Sequence, residues 1–185
     1  MFAPDHLFHA SEEHDIKAFH PRLPPAPEVG RVAPCVWAIS HAFLSNYLAP
    51  RDCPRIIFGR GENTSAADAA RFMTDSHARR IMVIERAWRA RMEDTQLSLY
   101  AFTLGPHWQL FDANCGVHVS DLPVVPAARH RVNSPARLLG AHDTELREVD
   151  DLRPLARAVR ESSLCFSIIR IRNAGPPAVP PAERR

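Results

Sequence analysis

The stretch QLSLYAFT, residues 96–103, decides the fold class of this chain. Its aliphatic residues fall on every second position, which is the period of a β-strand with one buried face. Residues 108–111 and 116–120 flank the turn Asp112-Ala113-Asn114 and predict a hairpin directly after that strand. Consecutive strands without intervening helices disfavour strict strand-helix alternation. They predict an α+β domain with mixed or antiparallel sheets.

The rest of the chain alternates short strand patterns with a few short helices. Ser65 and Asp68 form a capping box ahead of a predicted helix at 66–73. Pro135 after Ser134 predicts a second helix start, and Asp151 precedes a third helical pattern. One or two helical turns are predicted at 86–93, and further strands at 7–10, 35–40, 80–85, 124–132 and 164–172.

Length and composition fit one globular domain. The 185 residues are 45% hydrophobic and 24% charged, which is typical of a folded chain. Nine of the 17 prolines fall in a loop at 21–34 and in the stretch 175–185. We therefore expect a single domain over 1–174 and a disordered Pro-rich tail over 175–185.

Several function classes are disfavoured by what the sequence lacks. The formal charge is only +2, and acids interrupt the arginines at 79–91, which argues against a nucleic-acid binder. Neither a Gly-x-Gly-x-x-Gly nor a Gly-x-x-x-x-Gly-Lys phosphate loop occurs. The chain shows no signal peptide and no apolar run of about 20 residues, so we expect a cytoplasmic protein without a membrane span. The oligomeric state stays open.

Metal chemistry is not predicted either. The four cysteines form no Cys-x-x-Cys pair, and we expect them to be buried free thiols. The histidines near the N-terminus lack the spacing of a metal site, because His-x-x-His on a strand points its two side chains to opposite faces. These histidines are His6, His9, His14 and His20.

A candidate site begins at the end of the first predicted strand, which carries His9 and Ser11. Strand ends present side chains to clefts, and a neutral imidazole both donates and accepts hydrogen bonds. His9 is therefore a candidate contact to a ligand hydroxyl. A purely structural histidine in the sheet is the alternative.

A second polar group follows at residues 36–55. Trp37 and Tyr47 can stack on a planar ring, Ser40 adds a hydroxyl, and prolines stiffen the turn that carries Arg51 and Asp52. The alternative is a core Trp with an Arg-Asp ion pair in a loop. We expect a cleft between two sheets, lined by His9 and this group.

The last candidates are one acid and two arginines. Asp121 follows the predicted hairpin, where it is either a carboxylate facing a cation or the start of a turn. Arg170 and Arg172 are two residues apart on the predicted last strand, so they share one face. An anion between them, an internal carboxylate or solvent would each balance their charge.

Four motifs together resemble a bacterial protein family without an assigned activity. They are Leu7-Phe8-His9, Val36-Trp37-Ala38-Ile39, Pro50-Arg51-Asp52-Cys53-Pro54-Arg55 and Phe166-Ser167 with Ile169-Arg170. The chain is also similar to ADP-ribosyltransferase-like folds. The similarity lies in the order of a first strand ending in His and Ser, a strand with an aromatic residue and a late strand near an acid. That resemblance implies split sheets around a cleft and an NAD- or nucleotide-using glycosyltransferase of the ADP-ribosyl type.

The same resemblance implies roles for individual residues. His9 would hold the ribose of NAD, with Ser11 beside it. Trp37 or Tyr47 would pack on nicotinamide, and Ser40 would line the pocket. Asp121 would be the acid that stabilises an oxocarbenium-like ribose.

Two other functions use the same residues. One is a non-enzymatic binding or interaction protein on the same fold. The other is phosphate chemistry based on Arg and His, in which Arg51, Arg170 and Arg172 carry the anion.

Overall fold

The computed structural model describes residues 6–23 and 33–175. Part of the predicted Pro-rich loop and positions 176–185 of the predicted tail lie outside these residues. The chain divides into two compact units, each built from two stretches of sequence. Unit 1 comprises Met1–Arg51 and Asp94–Leu138, and unit 2 comprises Asp52–Glu93 and Leu139–Arg185.

The described residues form ten strands and four α-helices, which confirms the α+β class. The strands are β1 (His6–Ser11), β2 (Val36–Ser40), β3 (Arg55–Gly59), β4 (Arg80–Glu85), β5 (Gln96–Thr103), β6 (Gln109–Asp112), β7 (Val117–Ser120), β8 (Ala128–Asn133), β9 (Thr144–Val149) and β10 (Cys165–Ile169). The helices are α1 (Ala66–Met73), α2 (Arg89–Asp94), α3 (Ala136–Ala141) and α4 (Arg153–Arg160). Short 3₁₀ helices cover His41–Tyr47, Arg86–Trp88 and Ile171–Asn173.

Unit 1 is organised around a six-stranded antiparallel sheet in the order β6-β7-β2-β1-β5-β8. The predicted hairpin is confirmed as β6 and β7, and the strand at 96–103 is confirmed as β5. β1 lies in the interior of the sheet, between β2 and β5. The side chains that pack on one face of this sheet are Leu7, Phe19, Val36, Ala38, Tyr100, Phe102, Trp108 and Val124.

Unit 2 is organised around a four-stranded sheet in the order β10-β3-β4-β9, in which β4 and β9 are parallel. The predicted helix start is confirmed, because the Ser65 side chain accepts the Asp68 N–H at the start of α1. The Ser65 N–H donates to Ser163 Oγ at 2.8 Å rather than to Asp68, so only half of the predicted capping box forms. Helices α1 and α4 contribute to one hydrophobic core with the sheet. Its buried members are Ile56, Phe58, Phe72, Met73, Ile81, Val83, Leu152, Ala156, Val159 and Leu164.

Two strands of unit 2 escape prediction from the sequence. β3 is buried along its whole length, so its sequence lacks the alternation that marks a half-exposed strand. β9 has the sequence TELREV, and its charged residues obscure the pattern of a strand. Both strands pair with β4, one on each side.

Two predicted strand boundaries are wrong. The last strand ends at Ile169 rather than at 172, because Arg170 has a left-handed backbone with φ 53° and starts a 3₁₀ helix. The strand predicted from 124 begins at Ala128, while Val124 forms an isolated bridge with Phe19. Prolines at 123 and 126 interrupt the ladder there, because proline has no N–H to donate.

Two further facts bear on the sequence predictions. Among the described residues, no helix combines the length and hydropathy that crossing a membrane would require. Gly175, at the start of the predicted tail, is half-buried and donates its N–H to Glu85 Oε2 at 2.8 Å. The folded part of unit 2 therefore reaches Gly175, and a single domain over 1–174 stays a prediction.

Candidate functional site

The imidazole of His9 is the centre of the candidate site in unit 1. The ladder between β1 and β2 pairs only Leu7 with Ser40 and Phe8 with Ile39. Just beyond these pairs, Nδ1 of His9 lies 2.9 Å from the carbonyl oxygen of Trp37. A carbonyl only accepts, so Nδ1 carries the proton, and in the neutral ring Nε2 keeps a free lone pair.

The surroundings of His9 favour the neutral imidazole. The imidazole is half-buried, and its partial removal from water lowers its pKa below the ordinary value of 6.5. The positive charges of Arg51 and Arg22 lower this pKa further. The hydrogen bond to the Trp37 carbonyl acts in the opposite direction but does not cancel these effects. Phe19 packs against the imidazole, with 4.8 Å between ring centroids, and restricts its rotation.

Arg22 and Arg51 bring exposed cationic groups to this histidine. The backbone of Arg22 is held by a reciprocal pair of hydrogen bonds with Cys35, at 3.1 and 3.0 Å. Arg51 lies in a turn after Pro50. Within the described ranges, neither guanidinium hydrogen-bonds to another residue. Both can therefore donate to an anion without first giving up a protein partner.

The chain leaving β1 is fixed to the sheet by a tyrosine. The hydroxyl of Tyr100 donates to the carbonyl of Glu13 at 2.9 Å and accepts the N–H of Ile16 at 3.0 Å. Ser11, at the end of β1, accepts the Glu13 N–H through its side chain at 3.1 Å. These bonds hold the backbone on the C-terminal side of His9 in one conformation.

Glu12 joins this fixed segment to the turn of Arg51. Its Oε1 accepts the backbone N–H of Arg51 at 3.2 Å. The two residues are 39 positions apart, so no local motif in the sequence links them. The sequence predictions include Ser11 and Arg51 but miss Glu12, Arg22 and Phe19.

The structure separates Trp37 from the other predicted residues of this site. Strand pairing places Ser40 on the same sheet face as Leu7, and the two-residue period puts His9 and Ser11 there as well. Trp37 is on the opposite face, where its ring packs edge-on against Phe111 at 5.3 Å. The prediction that Trp37 and His9 line one surface is wrong, because only the backbone of Trp37 reaches the imidazole.

Ser40 and Tyr47 bracket the 3₁₀ helix that follows β2. Ser40 donates its N–H to the Gly116 carbonyl at 2.8 Å. Gly116 has φ +63°, and a Cβ at this position would collide with Ser40 Oγ and the Phe43 ring. Tyr47 is half-buried at the end of the helix. The close approach at Gly116 fixes where the Ser40 side chain lies.

The remaining predicted residues lie in other segments of the fold. Asp121 is exposed just after β7, and β2 lies between β7 and β1 in the sheet. Arg170 and Arg172 belong to unit 2, on the 3₁₀ segment that follows β10. The prediction that these two arginines share a strand face is wrong, because the strand ends before them.

Unit 2 offers less for chemistry. Cys53 is fully buried, and burial raises the pKa of its thiol to about 11, so it is inert as a nucleophile at neutral pH. In unit 1, Cys35 is buried and Cys115 is half-buried, and Cys165 of unit 2 is half-buried as well. A surface depression of about 460 Å³ is lined by Arg60, Gly61, Thr64, Ala66, Ala69 and Ala70. Over the described ranges, no three His, Cys, Asp or Glu side chains converge on a possible metal position.

Comparison with known proteins agrees with part of the sequence resemblance. A model of a family of unknown function (DUF6886) matches residues 8–174. The chain belongs to this family. No curated protein and no solved structure matches the chain. The family match covers β1 and β10 and every candidate residue described above.

Proposed function

We propose that the protein binds a nucleotide at His9 and acts as an NAD- or nucleotide-using transferase of the ADP-ribosyltransferase-like type. The bond from His9 Nδ1 to the Trp37 carbonyl supports this most, because it leaves Nε2 as a hydrogen-bond acceptor. A ribose hydroxyl is a suitable donor to Nε2. Arg22 and Arg51 supply the positive charge that a phosphate or diphosphate next to that ribose requires.

The transfer step would break the bond between ribose C1′ and the nicotinamide nitrogen, which leaves with the electron pair. A nucleophile on the acceptor then bonds to C1′ and gives up its proton. Positive charge develops on the ribose before that bond forms, so a carboxylate nearby lowers the barrier. Asp121 is the carboxylate that the resemblance implies for this role.

Ligand-induced stabilisation tests the nucleotide site. Millimolar NAD or ADP-ribose should raise the melting temperature, since a ligand that binds only the folded state stabilises it. His9→Asn should abolish most of the rise. Asn can place an amide N–H near the position of Nδ1, which keeps the bond to Trp37, but it has no group at Nε2. The affinity should fall about tenfold or more.

Controls and alternatives use the same assay. His20→Ala removes an exposed histidine and should leave the rise unchanged. Failure of both NAD and ADP-ribose to raise the melting temperature would refute the proposal. Binding without release of nicotinamide would favour the non-enzymatic binding protein. Inorganic phosphate acting as strongly as NAD would favour phosphate chemistry by Arg and His.

A further inference from the structure

We infer that Glu12 is a positioning residue, which holds the Arg51 turn so that its guanidinium serves the nucleotide phosphate. This inference rests on the proposed nucleotide site. It assigns to Glu12 no contact with the ligand itself. The role follows from how rigidly each end of the Glu12–Arg51 bond is held.

The Glu12 end is fixed by hydrogen bonds on its C-terminal side and by the sheet on its N-terminal side. Ser11 pairs with Ser98 in the β1–β5 ladder, and its side chain accepts the N–H of Glu13. Tyr100 then accepts from Ile16 and donates to Glu13. Glu12 therefore extends its half-buried side chain from a backbone with little freedom.

The Arg51 end is a short turn, in which the carbonyl of Asp52 accepts an N–H of the Asn173 side chain at 2.8 Å. Arg51 is exposed and lies in a two-residue turn with Asp52, directly after Pro50. Pro50 fixes its own φ but donates no hydrogen bond. The bond from the Arg51 N–H to Glu12 Oε1 ties this turn to the end of β1.

The position of the Glu12 carboxylate should strengthen phosphate binding, although its negative charge alone would weaken it. A negative charge near a phosphate weakens binding, so Glu12 would be unfavourable if charge alone mattered. Glu12 bonds to the backbone N–H of Arg51 and not to its guanidinium. The guanidinium keeps its own donors, and its positive charge lowers the pKa of His9. An acceptor oxygen at this place should therefore strengthen phosphate binding even though the group is anionic.

Isothermal titration of the full chain with ADP tests this role. Glu12→Ala should weaken ADP binding about tenfold, because the turn loses its anchor. Glu12→Gln keeps an acceptor oxygen and removes the charge, so its affinity should equal or exceed that of the wild type. Glu62→Ala removes an exposed carboxylate from unit 2 and should change nothing.

A double variant separates positioning from a general structural role. If Glu12 acts through Arg51, then Glu12→Ala combined with Arg51→Ala binds no more weakly than Arg51→Ala alone. Amide exchange at residue 51 should also accelerate in Glu12→Ala and stay slow in Glu12→Gln. This second measurement needs no ligand.

Each outcome decides between the two proposals. If the wild type binds ADP and Glu12→Ala binds equally well, the role of Glu12 is wrong and the nucleotide site stands. Equal losses in the Gln and Ala variants, or losses that multiply in the double variant, also overturn the positioning role. If the wild type binds neither ADP nor NAD, the nucleotide site itself fails, and the ligand role of Glu12 fails with it.

Discussion

The two units use their polar residues differently. Unit 1 contains eight of the ten histidines, whereas unit 2 contains sixteen of the 23 lysines and arginines. In unit 2, guanidiniums meet carboxylates of the same unit, as in Arg86–Asp150 at 3.1 Å and Arg147–Glu145 at 2.6 Å. In unit 1, Arg129 also meets a carboxylate, Asp15, at 3.5 Å, but Arg22 and Arg51 keep guanidiniums that hydrogen-bond to no described residue.

Apolar exposure follows the same division. The large hydrophobic side chains that stay exposed in the described residues all belong to unit 1. They are Leu23, Leu104, Leu110, Phe111, Leu122 and Val125. Unit 2 therefore leaves none of its described large apolar side chains exposed, whereas unit 1 leaves six. Because the candidate site also lies in unit 1, we expect substitutions in the two units to affect different measurements.

The largest expected effect is on the stability of unit 2. Glu85 is 3% exposed, and its carboxylate accepts the N–H groups of Leu152 and Gly175. Glu85→Ala leaves two N–H groups without this acceptor and opens a cavity, so the free energy of unfolding should drop by about 3 kcal/mol. Chemical denaturation measures this loss, and ADP or NAD binding by the folded protein should not change.

Two further variants serve as controls for Glu85. Glu85→Gln keeps one acceptor oxygen and should lose less stability than Glu85→Ala. Glu62→Ala removes an exposed carboxylate and should shift the free energy of unfolding by no more than about 0.5 kcal/mol. A Glu85→Ala protein as stable as the wild type would contradict the account of unit 2.

A pair of glycines gives the next effect, with opposite signs in the two units. Gly116→Ala in unit 1 should cost about 2–3 kcal/mol, because φ is +63° and the new Cβ would collide with Ser40 and Phe43. Gly140 lies in α3, and a Cβ there would meet nothing within 4 Å. Gly140→Ala should therefore stabilise the protein by about 0.5–1 kcal/mol. Equal shifts of the melting temperature in both variants would argue against this difference.

The sequence predicts those parts of unit 1 that local patterns encode. The period of β5 and the turn between β6 and β7 are visible within a few residues, and both are confirmed. β3 lacks such a pattern, because both of its faces are buried. Position along the chain also identifies His9 and Arg51 as candidates, since a strand end and a proline turn can be recognised directly.

The contacts of the candidate site could not be predicted, because they depend on pairing between distant segments. Glu12 meets Arg51 only after β1 and β2 have paired. The sheet face of Trp37 depends on the register of β2 with β7, which no short motif records. The sequence therefore indicates His9 and Arg51. It misses Phe19, Arg22 and Glu12, which act on them from other segments.

The smallest expected effect is the pH dependence from His9. Its pKa in the folded protein is below 6.5, so the unfolded chain takes up the proton first as the pH falls. The free energy of unfolding should therefore decrease below pH 6.5, and more steeply for the wild type than for His9→Asn. A histidine NMR titration measures the pKa directly, and Arg51→Ala should raise it by removing a positive charge.

The comparison with His9→Asn isolates this effect, because both proteins contain all the other histidines. A His9 that titrates at or above 6.5 would mean that the imidazole is not held neutral. The proposed hydrogen bond from a ribose hydroxyl to Nε2 would then lose its basis.

The order of strands along the chain has a consequence for how this protein can be made. β1 and β2 leave the ribosome well before β5, whose Thr103 pairs with His6. Likewise, β4 pairs in parallel with β9 from beyond the second stretch of unit 1. Neither sheet is complete in any fragment that ends at Glu93 or begins at Asp94. Each of these fragments is thus only a partial template, because the six-stranded sheet is complete only once β8 has been synthesised and the four-stranded sheet only once β10 has been synthesised.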